Sequence, residues 1–322
     1  MPPVHGGLLK KHCTHAQPAC LSGFMEFTTL ANGLQMPKLG YGVFQIDDDT
    51  TERTVAQALD TGYRMIDTAQ AYFNERGVGA GIKDSGVARE DIFLVTKVWV
   101  TNYGRAYDSL QESLERLGTD HVDLVLLHQA YNDYYGAWRD LERAYSDGLA
   151  SAIGVSNFNP NRMLDIAAFS DVTPMVNQIE SHVFRPARED HAVMDDLGVA
   201  HMSWGPFAEG MNNIFANPVL NEIASAHGVT AGQVALRYLL DLDVIVIPKT
   251  VRPERMAENL DVFDFSLTES DHAALASLEE PGFSCFDHTN VETVRGLLGY
   301  IKENMYMLPR IGYGAMGLSH AY

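Results

Sequence analysis

The sequence predicts an α/β fold, a single-domain (β/α)8 TIM barrel with a short N-terminal β-hairpin. The first observation behind this prediction is an alternation, from Pro37 onward, of short apolar runs with amphipathic stretches, which gives eight strand–helix units. The second is that ionisable residues close three successive apolar runs, where barrel enzymes build their sites. An open, doubly wound sheet is the rival, but Gly40 and Gly42 are not followed by the third glycine of its phosphate loop.

The chain divides into three predicted segments. They are residues 1–24, 25–303 and 304–322. The first lacks periodicity and is predicted to be a disordered leader, the second is the barrel domain, and the third is a tail of unknown role. The leader contains His12, Cys13, His15 and Cys20, whose spacing matches no regular zinc pattern, so no metal site is predicted.

Each element of the barrel follows from the alternation. Asn32-Gly33, between two short apolar runs, predicts the hairpin. The predicted strands are 39–43, 63–67, 92–97, 122–128, 151–156, 175–180, 199–204 and 244–248. The predicted helices lie near 51–61, 75–85, 105–117, 135–146, 160–169, 187–197, 218–227 and 254–278. The run GVGAGI at 77–82 resembles a dinucleotide loop but follows charged residues instead of a strand, which favours a glycine-rich helix start.

Composition excludes several classes of protein. A formal net charge of −19, with no local Lys/Arg cluster, argues against a nucleic-acid binder. No apolar run is long enough to cross a membrane, and the first residues lack the apolar core of a signal peptide. Only Cys285 lies in the body of the chain, so no disulfide framework is available there. We therefore expect a cytoplasmic protein without nucleic-acid or membrane partners, and a monomer.

Four ionisable side chains mark the candidate active site. Asp67 and Tyr72 follow the second apolar run, and Lys97 and His128 close the next two. A strand buried on both faces has no structural use for a lysine or a histidine. An aspartate keeps a nearby lysine charged, and a charged lysine is expected to lower the pKa of a neighbouring phenol from about 10. With a neutral histidine to orient the substrate oxygen, the set is suited to protonating an alkoxide while a hydride donor attacks the carbonyl carbon.

Motifs spread along the chain resemble those of the aldo-keto reductase family over residues 25 to 303, especially its bacterial 2,5-diketo-gluconate and methylglyoxal reductase members. They are GYRMIDTAQAYFNE, TKVW, LVLLHQ, IGVSNF, VNQIE and IPKTVRPERMAENLDVFDF. The resemblance implies a barrel that binds NADPH or NADP+ without a Rossmann domain. It also implies that Tyr72 is the proton donor, that Lys97 and Asp67 tune it, and that His128 orients the carbonyl.

The resemblance further implies a set of cofactor-binding residues. They are Ser156, Asn157, Gln178, Trp204, Gly205, Pro206, Phe207, Glu209, Lys249, Thr250, Val251, Arg255, Glu258 and Asn259. The first three would hold the nicotinamide carboxamide, and Trp204 stands where the family has a stacked tyrosine. The stretch 205–209 would border the pyrophosphate. Lys249, Thr250 and Arg255 match a 2′-phosphate, and Glu258 and Asn259 would meet the adenine.

The predicted substrate pocket is partly aromatic and takes a small carbonyl compound. It is formed by Phe44, Tyr72, Trp99 and His128. The predicted function is NADPH-dependent reduction of an aldehyde or ketone to an alcohol. The alternative is a regulatory or low-turnover barrel that binds the cofactor, because a fold does not fix a function. A zinc hydrolase is disfavoured, since no further His/carboxylate ligand set stands at the strand ends.

Overall fold

The computed structural model describes residues 25–304 of the chain. The predicted leader, with its histidines and cysteines, and the tail from residue 305 lie outside the described residues. No helix among residues 25–304 is long and apolar enough to span a membrane.

A two-stranded hairpin precedes the barrel, as predicted. Strand β1 (Phe27–Thr29) pairs antiparallel with β2 (Gln35–Pro37). Between them Gly33 has φ +87°, a conformation that few residues other than glycine adopt, and Asn32 Oδ1 accepts a hydrogen bond from the Leu34 amide at 3.1 Å. Leu30 and Met36 are buried with barrel-interior residues, so the hairpin closes the amino-terminal end of the barrel.

Eight parallel strands form the barrel wall and confirm the predicted fold class. They are β3 (Tyr41–Gly42), β4 (Met65–Asp67), β5 (Phe93–Val98), β6 (Val122–Leu127), β7 (Ala150–Ser156), β8 (Val176–Glu180), β9 (Ala200–Trp204) and β10 (Ile245–Val246). Each pairs with its neighbour in chain order. The sheet closes on itself because the Gly40 amide donates to Val246 O, and the Val246 amide to Lys38 O, both at 2.9 Å.

Eleven α-helices are described in residues 25–304, three more than the alternation predicts. They are α1 (Asp48–Thr61), α2 (Glu75–Ser85), α3 (Ala106–Leu117), α4 (Tyr134–Ser146), α5 (Pro160–Phe169), α6 (Arg188–Asp196), α7 (Pro218–His227), α8 (Ala231–Asp241), α9 (Pro253–Leu260), α10 (Glu269–Ala276) and α11 (Val291–Asn304). The single helix predicted over 254–278 is wrong, because Thr268 starts a new helix with a capping box. Helices α8 and α11 were not predicted, although Thr230 and Gln233 form a capping box at the start of α8.

The glycine-rich run in α2 lets three helices approach one another closely. It lies inside a helix, as expected, and does not form a dinucleotide loop. A Cβ atom on Gly77 would lie 2.1 Å from Asp48 O, and one on Gly81 would lie 2.5 Å from Glu52 O, both on α1. A Cβ on Gly79 would meet Leu117 O of α3 at 2.4 Å. The glycines are therefore required by packing against neighbouring backbone.

Replacing Gly77 by alanine should destabilise the barrel by about 1–3 kcal/mol, because the added methyl group forces α1 and α2 apart. The matched control is Gly296→Ala in α11, where a Cβ has nothing within 4 Å. There alanine should be neutral or stabilise by about 0.5–1 kcal/mol through its helix propensity. Denaturant unfolding measures both variants. Equal stabilities would show that α1 and α2 do not pack as described.

Candidate active site

The four ionisable residues singled out from the sequence meet at the carboxyl-terminal face of the barrel. Asp67 ends β4, Lys97 lies near the end of β5, and His128 directly follows β6. Tyr72 ends a short 3₁₀ turn, Gln70–Tyr72, in the loop after β4. Parallel strands all end at the same face of a barrel, which is why residues from three separate strands meet there.

The Lys97 ammonium is the centre of the group and is fully buried. It donates to Asp67 Oδ1 at 2.6 Å, to Thr68 O at 3.0 Å and to Tyr72 Oη at 3.2 Å. Its three protons thus each have an acceptor. Since Tyr72 Oη accepts from Lys97, its own proton is left to donate to another oxygen. Burial lowers the pKa of Lys97, while the Asp67 carboxylate raises it.

The expectation that Lys97 lowers the pKa of Tyr72 is wrong. Burial raises the pKa of this phenol well above 10, and the negative charges of Asp67 and Glu209 act in the same direction. The low-dielectric surroundings penalise the phenolate more than one nearby cation favours it. The side chain is therefore a protonated phenol at neutral pH, the state that a general acid needs before it acts.

The His128 imidazole is neutral and faces the phenol. Burial lowers its pKa well below 6.5, and the positive charges of Lys97 and of protonated His288 would add to that effect. Its ring centroid lies 5.7 Å from Tyr72 and 5.0 Å from Trp99, both in edge-on geometry. Phe44 lies 4.9 Å from Tyr72 by the same measure. The structure therefore brings the four predicted pocket residues together, in a series of ring contacts from Phe44 through Tyr72 and His128 to Trp99.

Two amide side chains that were not singled out from the sequence hold the Tyr72 loop in place. Gln70 Nε2 donates to Ser113 Oγ at 3.0 Å, and its Oε1 accepts from the Trp99 amide at 2.9 Å. Asn74 Nδ2 donates to Val43 O at 2.8 Å. Both lie within the motif GYRMIDTAQAYFNE. Two polar side chains in so short a turn could have indicated a structural role. Their hydrogen-bond partners could not be identified from the sequence, because they are distant in the chain.

The predicted carboxamide-binding residues form a hydrogen-bonded row across β7, β8 and β9. Asn157 Nδ2 donates to Ser156 Oγ at 3.2 Å and to His128 O at 3.1 Å, and its Oδ1 accepts from the Trp204 indole at 2.8 Å. Ser156 Oγ donates to Gln178 O at 2.8 Å, and Gln178 Nε2 donates to Asp67 Oδ2 at 2.9 Å. This row therefore joins the proposed cofactor residues to the carboxylate beside Lys97.

The loop after β9 faces the loop after β10. Gly205 has φ +62° and Glu209 φ +50°, so the chain turns sharply between them through Pro206 and Phe207. Burial raises the pKa of Glu209, and the positive charge of Lys249 partly opposes the rise. Burial lowers the pKa of Lys249, and the negative charge of Glu209 partly opposes this decrease. The two loops are thus electrostatically coupled.

The remaining predicted cofactor residues lie after β10 and on α9. Thr250 is buried, and its hydroxyl accepts from the Arg252 amide at 3.2 Å. Arg255 Nη1 donates to Glu258 Oε1 at 2.7 Å, and the same oxygen accepts from Thr230 at 2.8 Å. Arg255 also lines a cavity of about 320 Å³, which α7, α8 and their connecting loop enclose on other sides. Val251 packs against the core, and Asn259 is buried.

His288, on the segment before α11, is a site residue that sequence reasoning missed. Its ring lies 6.4 Å from Trp204 and 4.8 Å from Phe286, and its buried Nε2 has no hydrogen-bond partner. Burial lowers its pKa to about 4, against the opposing effect of the Glu180 carboxylate. It lies in FSCFDHTN, which has no strand or helix periodicity, so no pattern in the sequence links it to the strand ends.

Comparison with known proteins places the chain among carbonyl-reducing barrels. The model of the aldo/keto reductase family matches residues 29–280. Morphine 6-dehydrogenase of Pseudomonas putida is 41% identical over 275 residues, which cover 80% of this chain and 93% of that protein. Methylglyoxal reductase DkgA of Escherichia coli is 38% identical over 254 residues, which cover 78% of this chain and 92% of that protein.

Solved structures agree with the sequence comparison. An aldo/keto reductase of Brucella melitensis has a TM-score of 0.76 and 38% identity, with coverage of 79% of this chain and 100% of that one. An aldo-keto reductase of Bombyx mori, in complex with NADP, has a TM-score of 0.77 and 32% identity, with coverage of 82% of this chain and 95% of that one. The similarity therefore extends over the whole barrel.

Acid should destabilise the protein partly through His288. The unfolded imidazole has a pKa of about 6.5, so between that pH and about 4 the unfolded chain binds a proton that the folded chain does not. Stability is lost as the pH falls through this window, by up to about 1.4 kcal/mol per pH unit for this one group. His288→Gln should flatten the pH dependence by that amount. Denaturant unfolding at several pH values measures it, and an unchanged slope would contradict the burial of this ring.

Proposed function

The chain belongs to the aldo/keto reductase family, and on this premise we propose that it reduces a small aldehyde or ketone to an alcohol with NADPH. The observation that carries the proposal is the Lys97 ammonium donating to Tyr72 Oη while the phenol keeps its own proton. This geometry is suited to general acid catalysis. The overall class, an NADP-dependent carbonyl oxidoreductase, follows from the family. Tyr72 as the proton donor and the selectivity for NADPH over NADH are our proposals.

The residues of the site fit a nicotinamide cofactor. The row formed by Ser156, Asn157 and Gln178 offers amide and hydroxyl groups suited to a carboxamide, and Trp204 presents a flat indole beside them. Arg255 lines a cavity that would accept an anionic group. NADPH, when bound, supplies the hydride.

This chain's own side chains would manage the proton. Tyr72 donates its proton to the substrate oxygen as negative charge develops there, and Lys97 stabilises the resulting phenolate because its ammonium already touches Oη. Asp67 keeps that ammonium paired in a buried place. The neutral His128 ring orients the substrate oxygen toward the phenol. Phe44 and Trp99 would bound the pocket and exclude water from one side.

Discrimination for NADPH is proposed to rest on Lys249, Thr250 and Arg255. The Arg255 fork would bind the 2′-phosphate that NADH lacks, although Glu258 already occupies one of its amino groups. The Glu209 and Lys249 pair would border the pyrophosphate and the adenosine phosphate from the two facing loops. Glu258 and Asn259 would meet the adenine.

The alternative is a barrel that binds the cofactor and turns over little. A steady-state assay of NADPH absorbance against small aldehydes, dicarbonyls and keto-sugars separates the two, with methylglyoxal included because one relative is a methylglyoxal reductase. Tight NADPH binding without turnover on any of them would favour the alternative. A monomeric state and a cytoplasmic location stay predictions.

Replacing Tyr72 by phenylalanine should lower kcat by about 10² to 10⁴ or more, because it removes only the donated proton. The Kd for NADPH should stay nearly unchanged. The matched control is Tyr238→Phe in α8, which removes a buried hydroxyl bonded to Arg188, outside the strand ends that form the site. Control activity should be close to that of the unmodified protein. If the Tyr72 variant retains full turnover on a good substrate, another group donates the proton.

Replacing Arg255 by alanine should weaken NADPH binding by about 1.5–3 kcal/mol, the usual contribution of a hydrogen bond to a charged group, and leave NADH binding nearly unchanged. Arg143→Ala is the control, since Arg143 is exposed on α4 and pairs there with Asp147, away from the loop after β10. Fluorescence quenching gives the Kd values for both cofactors. Equal losses for NADPH and NADH would show that Arg255 acts through the packing of α9 against α8.

A further inference from the structure

A second cluster of polar side chains lies beside the candidate active site, at the end of β8. Glu180 ends that strand, His182 follows in the next loop, and Cys285 comes from the segment between α10 and α11. One potential ligand atom from each lies within 4.8 Å of the other two. Among residues 25–304, this is the one group of at least three His, Cys, Asp or Glu side chains whose ligand atoms meet in this way.

Two of the three donor separations are close to those of a tetrahedral metal site. His182 Nε2 lies 3.0 Å from Glu180 Oε1 and 3.9 Å from Cys285 Sγ. Zinc–ligand bonds of about 2.1 Å to nitrogen and oxygen and about 2.3 Å to sulfur imply separations between tetrahedral donors of about 3.4 Å for nitrogen and oxygen and about 3.6 Å for pairs that include sulfur. The two His182 pairs need shifts of a few tenths of an ångström. The Glu180 and Cys285 donors, which lie within 4.8 Å of each other, must approach by up to about 1.2 Å.

The surroundings hold these donors in position. The Glu180 carboxylate accepts from Ser284 Oγ and from the Cys285 amide, both at 2.6 Å, so the strand end and the segment are already joined. His182 is fully buried, with its ring centroid 5.5 Å from that of Phe283. Its Nδ1 has no hydrogen-bond partner. The protein interactions thus direct Nε2 toward the other two donors. When Nε2 binds an ion, the ring proton must move to the buried Nδ1, which has no protein acceptor among the described residues.

We propose that Glu180, His182 and Cys285 bind one divalent transition-metal ion of the zinc type, with the fourth position open to water. Thiolate, imidazole and carboxylate are together a donor set that zinc prefers over magnesium or calcium. On binding, the Cys285 S–H bond breaks, a metal–sulfur bond forms, and the proton leaves to solvent; the His182 ring proton moves to Nδ1. No electron is transferred. Two anionic ligands balance the charge of the ion.

The two acidic ligands differ in protonation state: the carboxylate of Glu180 is ionised, whereas the Cys285 thiol must lose its proton. Burial alone would raise the pKa of Glu180, but hydrogen bonds from His182, Ser284 and the Cys285 amide lower the pKa to about 2, so its carboxylate is ready to bind. Burial and the Glu180 charge raise the pKa of the Cys285 thiol. Binding must therefore displace a proton, and metal affinity should increase with pH.

A metal here would clamp the segment that carries His288. Cys285 precedes His288 by three residues, and the His288 ring packs edge-on against Trp204. Joining Cys285 to the end of β8 would fix this segment against the side of the candidate cofactor pocket. The expected effect on the whole protein is a metal-dependent rise in melting temperature.

Cobalt(II) binding to the full-length protein tests the proposal. Cys13 and Cys20 are first replaced by serine, so that Cys285 is the only thiol. After chelation and removal of the chelator, Co²⁺ should produce a thiolate-to-cobalt charge-transfer band that saturates at one ion per chain, with one proton released. Zn²⁺ should abolish the band by displacing the cobalt.

Adding Cys285→Ser to this protein is the matched control, with circular dichroism to show that the barrel is folded. The charge-transfer band should disappear, and Zn²⁺ affinity measured by competition should fall by more than about 100-fold, beyond the usual loss for an indirect partner of a metal ligand. Zn²⁺ should also slow labelling of Cys285 by a thiol reagent in the parent. Absence of the band in the parent, or a Zn²⁺ affinity that Cys285→Ser leaves unchanged, would overturn the proposal.

Discussion

The buried ion pair between Lys97 and Asp67 is the constraint on which the site depends. Removing an ammonium from water costs several kcal/mol, and the cost is offset only when the partner geometry is close. The 2.6 Å contact provides that geometry, and Gln178 holds the second carboxylate oxygen from the opposite side of the barrel. The ends of β4, β5 and β8 are thereby fixed relative to one another.

The same pair determines what the phenol can do. Lys97 donates to Tyr72 Oη, so the phenol's own proton remains available, while burial keeps the ring neutral until charge appears on a neighbouring oxygen. In the proposed reaction the cation would then stabilise the phenolate that forms. In a site of this kind, a low dielectric and fixed dipoles stabilise the charge that develops during the reaction. The tyrosine therefore does not need a lowered pKa before the substrate reacts.

The segment between α10 and α11 lies outside the repeating strand–helix pattern and borders the candidate site. Glu180 binds this segment through Ser284 and Cys285, and three residues later His288 reaches Trp204. Because β8 also contributes Gln178, one strand connects the ion pair at the barrel centre with the segment at its rim. A change at the end of β8 would therefore affect both the proposed cofactor pocket and the proposed metal cluster.

The sequence by itself determined the barrel and the residues at its strand ends. Strand and helix periods are local, and the end of each apolar run shows which side chain leaves the sheet, so Asp67, Lys97 and His128 were identifiable. Only the tertiary structure decided which of these touch and what their surroundings do to them. The Gln178 contact with Asp67 spans 111 residues, and the Cys285 contact with Glu180 spans 105. No local pattern encodes such pairs, and the pKa values depend on burial, which packing alone sets.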